Sequence, residues 1–442
     1  MIRPEDRFWV CSESVTGDLH AGTVIDWDQR RWYTINGSIK FIPPEEDKDI
    51  DVLKRYIDHL APSVYSITVD DDGLLTSVSS APEDDPLLTI HYPRYAKSPS
   101  LQSCSTIEIS RLAELDRLGP GVDLVSYSDS DKPEAQRKVV FKYSMIFQRR
   151  TKIWHELHIT KSLPAHPNLV PFDRVVVDDV ESRVLGFTTA YVPGGCLDDN
   201  KSRIFRLEYF QQLTSVVDYL NLELGIIHQD VAARNILLDS KTQNILLFDF
   251  DRAAPVGHPW CVPQRNDVAG VIFTLYEIIT QDEHYRHVPF QEQNPESVQS
   301  LEEWPVKCKL DNDVALFRKH LNEWVQRRKA ICDVAPFVPE PKPFDIPTIP
   351  PPSPVITGHG EDGAPIVERG RIMRTRRSLR DRNQNIISWE RPPQQPTCPL
   401  PNGTKRKRSC SSSLEAQDDR HLSLSTPENT QDRTCGNGIK AP

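Results

Sequence analysis

The chain has 442 residues, 38% of them hydrophobic, and a net charge of −10, so at about 150 residues per domain it has room for up to about three units. No apolar run approaches the ~20 residues that cross a bilayer and the first residues lack a signal core, which predicts a soluble intracellular protein, cytoplasmic or nuclear, without a membrane partner. Its nine cysteines are scattered without a Cys-x-x-Cys pair, which excludes the common zinc-binding patterns.

Residues 1–107 are expected to form an N-terminal accessory region with β-hairpins. Two dipeptides that tolerate positive φ, Asn36-Gly37 and Asp72-Gly73, each stand between short runs rich in β-branched and aromatic residues. Tight hairpins require such turns. No catalytic group stands out in this region, so we expect it to fold, alone or against its neighbour, without contributing chemistry.

Residues 108–332 show strands, a helix, more strands and then helices, which is typical of an α+β domain. Gly119 and Gly121 flank Pro120, and a Gly-Pro-Gly run by itself is more often an ordinary turn. Further along, Lys142 ends an apolar strand, and 14 residues later Glu156 lies in a segment with helical spacing of its apolar residues. These residues alone are too common to assign a function.

The strongest pattern is a loop between two short apolar strands. Asp230 and Asn235 follow the first apolar segment, and Asp249 follows the second, which begins at Asn244. The two carboxylates and the amide therefore converge at one end of a hairpin. Phosphoryl transfer needs such a set, because oxygen ligands hold magnesium on the phosphates while another carboxylate orients the attacking hydroxyl.

These segments resemble the protein kinase superfamily over roughly residues 108–330. The resemblance implies a bilobal fold with a compact helical lobe, and a Mg-ATP-dependent protein kinase that transfers the γ-phosphate of ATP to a protein hydroxyl. It makes Asp230 the catalytic base and places Lys142 on the phosphates of ATP. Asn235 and Asp249 become the ligands of Mg²⁺.

The same resemblance implies a nucleotide-binding set upstream of the catalytic loop. Gly119 and Gly121 correspond to the glycine-rich loop over the nucleotide, and Glu156 corresponds to the helical partner of the strand lysine. The segment before Pro193-Gly194-Gly195 resembles the hinge between the two lobes. There the backbone of Ala190 and Val192 is expected to face the adenine.

The sequence also departs from the family pattern. Leu124 replaces the third glycine, Gln229 the arginine before the catalytic aspartate, and Asp251 the glycine of Asp-Phe-Gly. Only 18 residues separate Asp249 from Asp267, without an Ala-Pro-Glu motif. Asp267 resembles the aspartate that braces the catalytic loop, and a simple helix cap is its alternative.

Three functions remain open at this stage. The first is an active protein kinase with a protein substrate. The second is a catalytically weak pseudokinase that binds nucleotide or a partner, which the departures favour. The third is a small-molecule phosphotransferase of the same superfamily, which also lacks an Ala-Pro-Glu segment. The residues around Ala232 are similar to tyrosine kinases, but the acceptor residue stays undecided.

Residues 333–442 are expected to be a mainly disordered tail. Positions 336–354 contain nine prolines, and residues 366–408 hold 12 Lys/Arg against 3 Asp/Glu. Such a composition buries too little apolar surface to offset the entropy of ordering. Two basic runs, 374–377 and 405–408, are candidate binding sites for a nuclear import receptor.

Overall fold

The computed structural model describes residues 2–44, 46–129, 132–334, 346–359 and 362–394, and these lie in one compact unit. The N-terminal region forms a five-stranded sheet with one helix packed on it. In chain order these elements are β1 (Phe8–Thr16), β2 (Leu19–Asp26), β3 (Arg31–Ser38), α1 (Lys48–Tyr56), β4 (Ser66–Val69) and β5 (Leu75–Ser79). The sheet has the order β1-β2-β3-β4-β5, and its core is made by buried side chains such as Ile35 and Ile67 with Leu53 of α1.

One of the two predicted hairpins is wrong. Asn36 and Gly37 do not turn but continue β3, opposite Ala21 and His20 of β2. The glycine serves close packing here, because a Cβ on Gly37 would lie 2.9 Å from the Ile42 side chain. The other hairpin is confirmed: β4 and β5 are antiparallel, and Gly73 has a φ of +78° in their turn.

A second sheet carries the lysine-bearing strand. Its elements in chain order are β6 (Leu88–Ile90, outside this sheet), β7 (Thr106–Glu108), β8 (Ala113–Gly119), β9 (Val122–Asp129), β10 (Lys132–Tyr143), α2 (Phe147–Ser162), β11 (Phe172–Val177) and β12 (Val184–Ala190). Six strands lie in the order β7-β11-β12-β10-β9-β8. Because β7 spans the predicted boundary at 107/108 and pairs with β11, the N-terminal region runs directly into this sheet.

The two faces of β10 have different neighbours because successive side chains of a strand point to opposite faces. Val139 and Phe141 are buried in a cluster with Ile25 and Trp27 of the N-terminal region. Lys142 points to the other face. The N-terminal region therefore covers one face of the second sheet and leaves the opposite face for the charged residue.

The helical part follows and has its own apolar core. Its elements are β13 (Ile204–Phe205), α3 (Leu207–Asp218), a π-helical turn (Tyr219–Glu223), β14 (Ile226–Ile227), β15 (Ile236–Leu238), β16 (Ile245–Leu247), β17 (Ala254–Pro255), α4 (Asp267–Thr280), α5 (Pro295–Gln299), β18 (Lys309–Leu310) and α6 (Val314–Val334). Phe210 and Val217 lie on α3, and both side chains are fully buried with Leu275 and Phe317. The mixed helix and strand content expected from the sequence is confirmed.

The predicted disorder of the tail is wrong for residues 346–359 and 362–394. They contain β19 (Val355–His359), β20 (Pro365–Glu368), β21 (Met373–Thr375) and α7 (Arg376–Asp381). β21 pairs with β6, and Trp389 is 6% exposed in the same cluster as Trp27 and Phe141. The remainder of the tail, including the basic run 405–408, lies outside the described residues.

The other basic run, residues 374–377, lies in the folded part of the tail. Arg376 begins α7 and pairs with Asp85 at 3.1 Å and Glu390 at 2.6 Å. A receptor could bind an extended run only if these contacts were released, so nuclear import through residues 374–377 is not supported. Among the described residues, no helix is long and apolar enough to cross a membrane.

Candidate active site

Lys142 is the centre of a buried charged cluster. Its Nζ donates to Glu156 Oε1 at 2.5 Å and to Asp249 Oδ1 at 2.6 Å. Strand β10 supplies the lysine, α2 the glutamate, and the loop after β16 the aspartate. The three side chains are 2–8% exposed, so one cation joins three separate elements.

The charges in this cluster alter one another's protonation. Burial tends to lower the pKa of Lys142, but Asp249 and Glu156 outweigh it, so that the pKa is raised and the lysine stays protonated. Burial raises the pKa of Glu156 to about 7 despite the attraction of Lys142. Burial and the charge of Asp249 raise the pKa of the half-buried Asp251 to about 6. The cluster thus has an excess of carboxylates that a further cation would relieve.

Asp230 is held at both of its carboxylate oxygens. Arg234 donates to Oδ1 at 2.6 Å, and Asn235 Nδ2 donates to Oδ2 at 2.8 Å. Burial alone would raise the pKa of Asp230, but the neighbouring cations Arg234 and Arg252 outweigh it and lower that pKa. The side chain is therefore an ionised, fixed carboxylate at neutral pH. The sequence predicted Asp230 and Asn235 but missed Arg234, which lies four residues after Asp230 in the same loop.

The loop that carries Asp230 is anchored by the first residue of α4. Asp267 accepts hydrogen bonds from the backbone amides of His228 and Gln229, both at 2.7 Å, and from Asn221 Nδ2 at 2.8 Å. The cap of α4 is instead Asn266, whose side chain accepts from the amide of Ala269. The geometry thus favours the brace over the simple helix cap for Asp267.

The hairpin of β15 and β16 aligns the loops on either side of it. Its two strands pair antiparallel from Ile236 with Leu247 to Leu238 with Ile245. Directly after it, Asp249 adopts a positive φ of 66°, and the amide of Phe250 donates to Glu156 Oε1 at 3.2 Å. This backbone turn carries the Asp249 carboxylate to Lys142.

The predicted hinge lies at the end of β12. Val140 of β10 faces Thr189, and Val139 faces Ala190, so this edge adjoins the lysine-bearing strand. The amide of Ala190 already donates to Pro171 O at 3.0 Å, whereas the amide of Val192 donates no hydrogen bond among the described residues. Val192 therefore offers a donor of the kind that an adenine ring accepts, and the adenine contact remains a prediction.

The predicted glycine-rich loop is a tight turn. Gly119 pairs directly with Val122, which leaves only Pro120 and Gly121 between the strands. Both glycines are buried, and the carbonyl of Gly121 accepts from the amide of Tyr143 at 3.0 Å. The structure thus does not bring Gly119 and Gly121 into an open loop, and phosphate binding by them would require this turn to rearrange.

Strand register also reveals an apolar pair that sequence reasoning missed. Val140 lies opposite Leu124, and Lys142 lies opposite Val122, so Leu124 and Val140 share the face of Lys142. Both are half-buried. Leu124 therefore fits an apolar wall beside the lysine better than the place of a third glycine. Counting residue pairs from the turn at Pro120 is the signal that identifies it.

The residues present suit Mg²⁺ held jointly with a nucleotide. Asn235 uses its Nδ2 on Asp230 and Asp249 uses its Oδ1 on Lys142, which leaves Asn235 Oδ1 and Asp249 Oδ2 without a hydrogen bond among the described residues. Those residues contain no group of three or more His, Cys, Asp or Glu side chains arranged around a metal. Mg²⁺ commonly takes one or two protein oxygens plus substrate phosphates, and this site fits that mode.

Comparison with known proteins agrees with this chemistry. Residues 122–290 match the family model for the protein kinase domain. Serine/threonine-protein kinase CHK1 of Saccharomyces cerevisiae is 32% identical over 108 residues, 23% of this chain and 20% of that protein. CBL-interacting serine/threonine-protein kinase 21 of Arabidopsis thaliana is 35% identical over 114 residues, 25% of this chain and 24% of that protein.

A third relative is the probable casein kinase II subunit alpha homolog of Encephalitozoon cuniculi, which is 25% identical over 160 residues, 34% of this chain and 47% of that protein. The chain thus spans between a fifth and about half of the length of these relatives. The matches support the protein kinase superfamily for this part of the chain. The family match contains Lys142 and Asp249 but begins at Val122, after the tight turn at Pro120.

Proposed function

We propose that the protein is a Mg-ATP-dependent protein kinase that transfers the γ-phosphate of ATP to a protein hydroxyl. The observation that carries this proposal is the buried contact of Lys142 with Glu156 and Asp249 beside the fixed carboxylate of Asp230. A buried cation and carboxylates that cost free energy to desolvate are retained mostly where chemistry needs them.

Each group has a defined task in that reaction. Mg²⁺, held by Asn235 and Asp249, would neutralise charge on the transferred phosphate. Lys142 binds phosphate oxygens, and Glu156 keeps the lysine in place. Asp230 accepts a hydrogen bond from the attacking hydroxyl, aligns its oxygen and takes its proton.

Asp230 suits orientation more than deprotonation in advance. Its pKa is lowered by Arg234 and Arg252 after the opposing effect of burial, so it is a weak base for a free hydroxyl. In phosphoryl transfer the nucleophile forms little bonding before the phosphorus–oxygen bond to the leaving group loosens. The proton therefore passes to Asp230 late, when the hydroxyl has become acidic.

A catalytically weak pseudokinase is the second candidate, and one observation favours it. The turn at Gly119–Gly121 is closed onto Tyr143 and onto Arg149, whose guanidinium donates to Pro120 O. Backbone amides in that turn are therefore not arranged as a phosphate cradle. Nucleotide would bind mainly through Lys142 and Mg²⁺, with correspondingly lower affinity.

The test is transfer of labelled γ-phosphate from Mg-ATP by the full-length chain to a generic protein and to a panel of small alcohols and amines. Asp230→Asn keeps the size of the side chain but cannot take a proton, so kcat is expected to fall by about 10²–10⁴-fold. Asp239→Asn, in the exposed turn of the β15–β16 hairpin, is the matched control. Equal transfer by wild type and Asp230→Asn would refute the proposed role, and transfer to small molecules alone would identify a small-molecule phosphotransferase.

A further inference from the structure

The side chain of Gln229 ties the catalytic loop to the segment that follows Asp249. Its Nε2 donates to the carbonyls of Arg252 at 2.6 Å and Trp260 at 2.9 Å, and its Oε1 accepts from the amide of Val262 at 2.5 Å. Gln229 is 5% exposed. All three bonds are made to backbone, so they depend on the course of the segment and not on its side chains.

The backbone of Gln229 is fixed as well. It adopts a φ of +64°, a conformation that a non-glycine residue keeps only when its surroundings enforce it. Its amide donates to Asp267 Oδ1, and its neighbour is Asp230. Gln229 is therefore held at its backbone by Asp267 and at its side chain by residues 252–262.

The segment itself contains no residue that a protein kinase could phosphorylate on a hydroxyl. Residues 250–266 include no serine, threonine or tyrosine. A phosphate on such a loop usually orders it by pairing with an arginine cluster, and the position before Asp230 holds the neutral Gln229. Residues 250–266 thus lack a hydroxyl that could carry the phosphate, and position 229 lacks the arginine that would pair with it.

Helix α2 holds the segment from the opposite side. His155 Nε2 donates to Ala253 O at 2.5 Å, and its ring stacks on Trp260 at a centroid distance of 4.1 Å. Burial lowers the pKa of His155, so the ring stays neutral at neutral pH. His155 thus holds the segment against α2 through contacts that do not involve Gln229.

We propose that Gln229 is a positioning residue that locks residues 250–262 in the working arrangement without phosphorylation. Three neutral hydrogen bonds replace the charge-assisted contact that a phosphorylated loop would make. The chain is therefore constitutively ordered at this point. The catalytic part of this inference rests on the proposed kinase function, whereas the structural part does not.

Hydrogen exchange of the full-length protein tests the structural part directly. Gln229→Met keeps the length of the side chain and removes all three bonds, so the Val262 amide is expected to exchange at least about tenfold faster. Gln243→Met is the matched control, because Gln243 also has a positive φ of 59°. Its side-chain amide is hydrogen-bonded as well: Nε2 donates to Ser240 O, and Oε1 accepts from Tyr209 Oη. Unchanged exchange at residues 252–262 in Gln229→Met would overturn the proposal.

Kinetics test the catalytic part. In Gln229→Met, kcat should fall at least about tenfold while KM for ATP changes little, because alignment of Asp230 is lost but Lys142 is untouched. Gln229→Glu keeps an acceptor for Val262 and loses both donors, so its kcat should lie between those of wild type and Gln229→Met. This graded variant remains informative if Gln229→Met folds poorly.

Phosphatase treatment separates the possible outcomes. Wild-type protein shown by mass spectrometry to carry no phosphate should retain its full kcat, whereas a loss of about tenfold or more on dephosphorylation would overturn the proposal. If exchange accelerates in Gln229→Met but wild type transfers no phosphate to any acceptor, the lock stands and the proposed kinase function fails.

Discussion

At Glu156, burial and ion pairing oppose each other within one side chain. The carboxyl is 2% exposed, so desolvation favours its neutral form, while Lys142 at 2.5 Å favours the charged form. Asp249 contacts the same lysine and repels a second negative charge. The cluster around Lys142 therefore responds to pH through Glu156.

This balance predicts a specific pH dependence of stability. The pKa of Glu156 is raised to about 7, whereas an unfolded glutamate titrates near about 4.3. Between these values the folded protein holds the extra proton, so this group makes the free energy of unfolding decrease as pH rises from about 4.3 to about 7. Urea unfolding across that range should show the decrease in wild type and a clearly smaller one in Glu156→Gln, where only Asp251, whose pKa is raised to about 6, still contributes.

Glu323→Gln is the matched control for that series, because Glu323 is an exposed residue of α6 whose nearest cation, Lys319, lies 3.9 Å away. It should keep the wild-type pH profile. An identical slope in wild type and Glu156→Gln would show that Glu156 is not the titrating group.

The residues of the site were largely predictable because their chemistry is local. Asn235 directly precedes one short apolar strand and Asp249 follows the next, and two such strands joined by a short turn indicate a hairpin that brings these two ends together. Arg234 and the network around Gln229 were not predicted. The partners of Gln229 are carbonyls and an amide of residues 252–262, and backbone groups leave no trace in a sequence.

Among the secondary-structure elements, α4 joins the helical core to the loop that carries Asp230 through Asp267. Asp267 is 2% exposed, and its carboxylate accepts hydrogen bonds from two backbone amides and from the Asn221 side chain. A hydrogen bond to a charged group makes a net contribution of about 1.5–3 kcal/mol to stability. The brace is therefore among the most costly contacts to remove.

Substitution should separate this brace from helix capping. Asp267→Asn turns one acceptor into a donor that faces a backbone amide, so we expect a loss of about 2–4 kcal/mol in the free energy of unfolding. Asn266→Ala removes the true cap and should cost about 1 kcal/mol. Denaturant unfolding of both variants measures the difference, and a larger loss for Asn266→Ala would contradict the assignment.

Elements whose form depends on a partner strand were predicted less well. Asn36-Gly37 has the composition of a hairpin turn, but β2 pairs along its whole length and draws the dipeptide into β3. Similarly, Gly119 and Gly121 fit a loop over phosphate by composition. Only the pairing of Gly119 with Val122 shows that too few residues remain for an open loop.

On the scale of the whole molecule, the N-terminal region and the described part of the tail form a layer behind the lysine-bearing strand. Trp389 stacks on Tyr143 with centroids 4.9 Å apart and planes at 15°. The guanidinium of Arg30 lies 4.4 Å from the Tyr143 ring and 5.4 Å from the Trp389 ring. Tyr143 follows Lys142 directly, so distant parts of the sequence fix the strand that carries the lysine.

Composition explains why the sequence did not predict this layer. Proline and basic residues dominate the tail, and such segments on average bury too little to fold. Here a few residues hold the segment against the six-stranded sheet. Trp389 contributes apolar area, and Arg391, 8% exposed at its side chain, pairs with Glu114 at 2.6 Å and Asp123 at 3.1 Å.

Removal of the indole should therefore destabilise the protein. Trp389 is 6% exposed and its Nε1 donates to Tyr92 Oη at 3.1 Å, so Trp389→Ala is expected to cost about 3–5 kcal/mol. Ile372→Ala, at a side chain that is 41% exposed in the same tail, should change stability by less than about 0.5 kcal/mol. Thermal unfolding compares the two, and equal effects would contradict a packed tail.

The assignment of the cluster around Lys142 as a nucleotide and magnesium site has one direct test. The full-length chain is titrated with ATP in a calorimeter, once in the presence of Mg²⁺ and once in the presence of a chelator. Wild type should bind ATP at least about tenfold more tightly with Mg²⁺, about 1.4 kcal/mol of binding free energy. In Asp249→Asn that ratio should fall to about one, while Asp239→Asn should behave as wild type. Absence of ATP binding by folded wild type, or the same dependence on Mg²⁺ in Asp249→Asn, would contradict it.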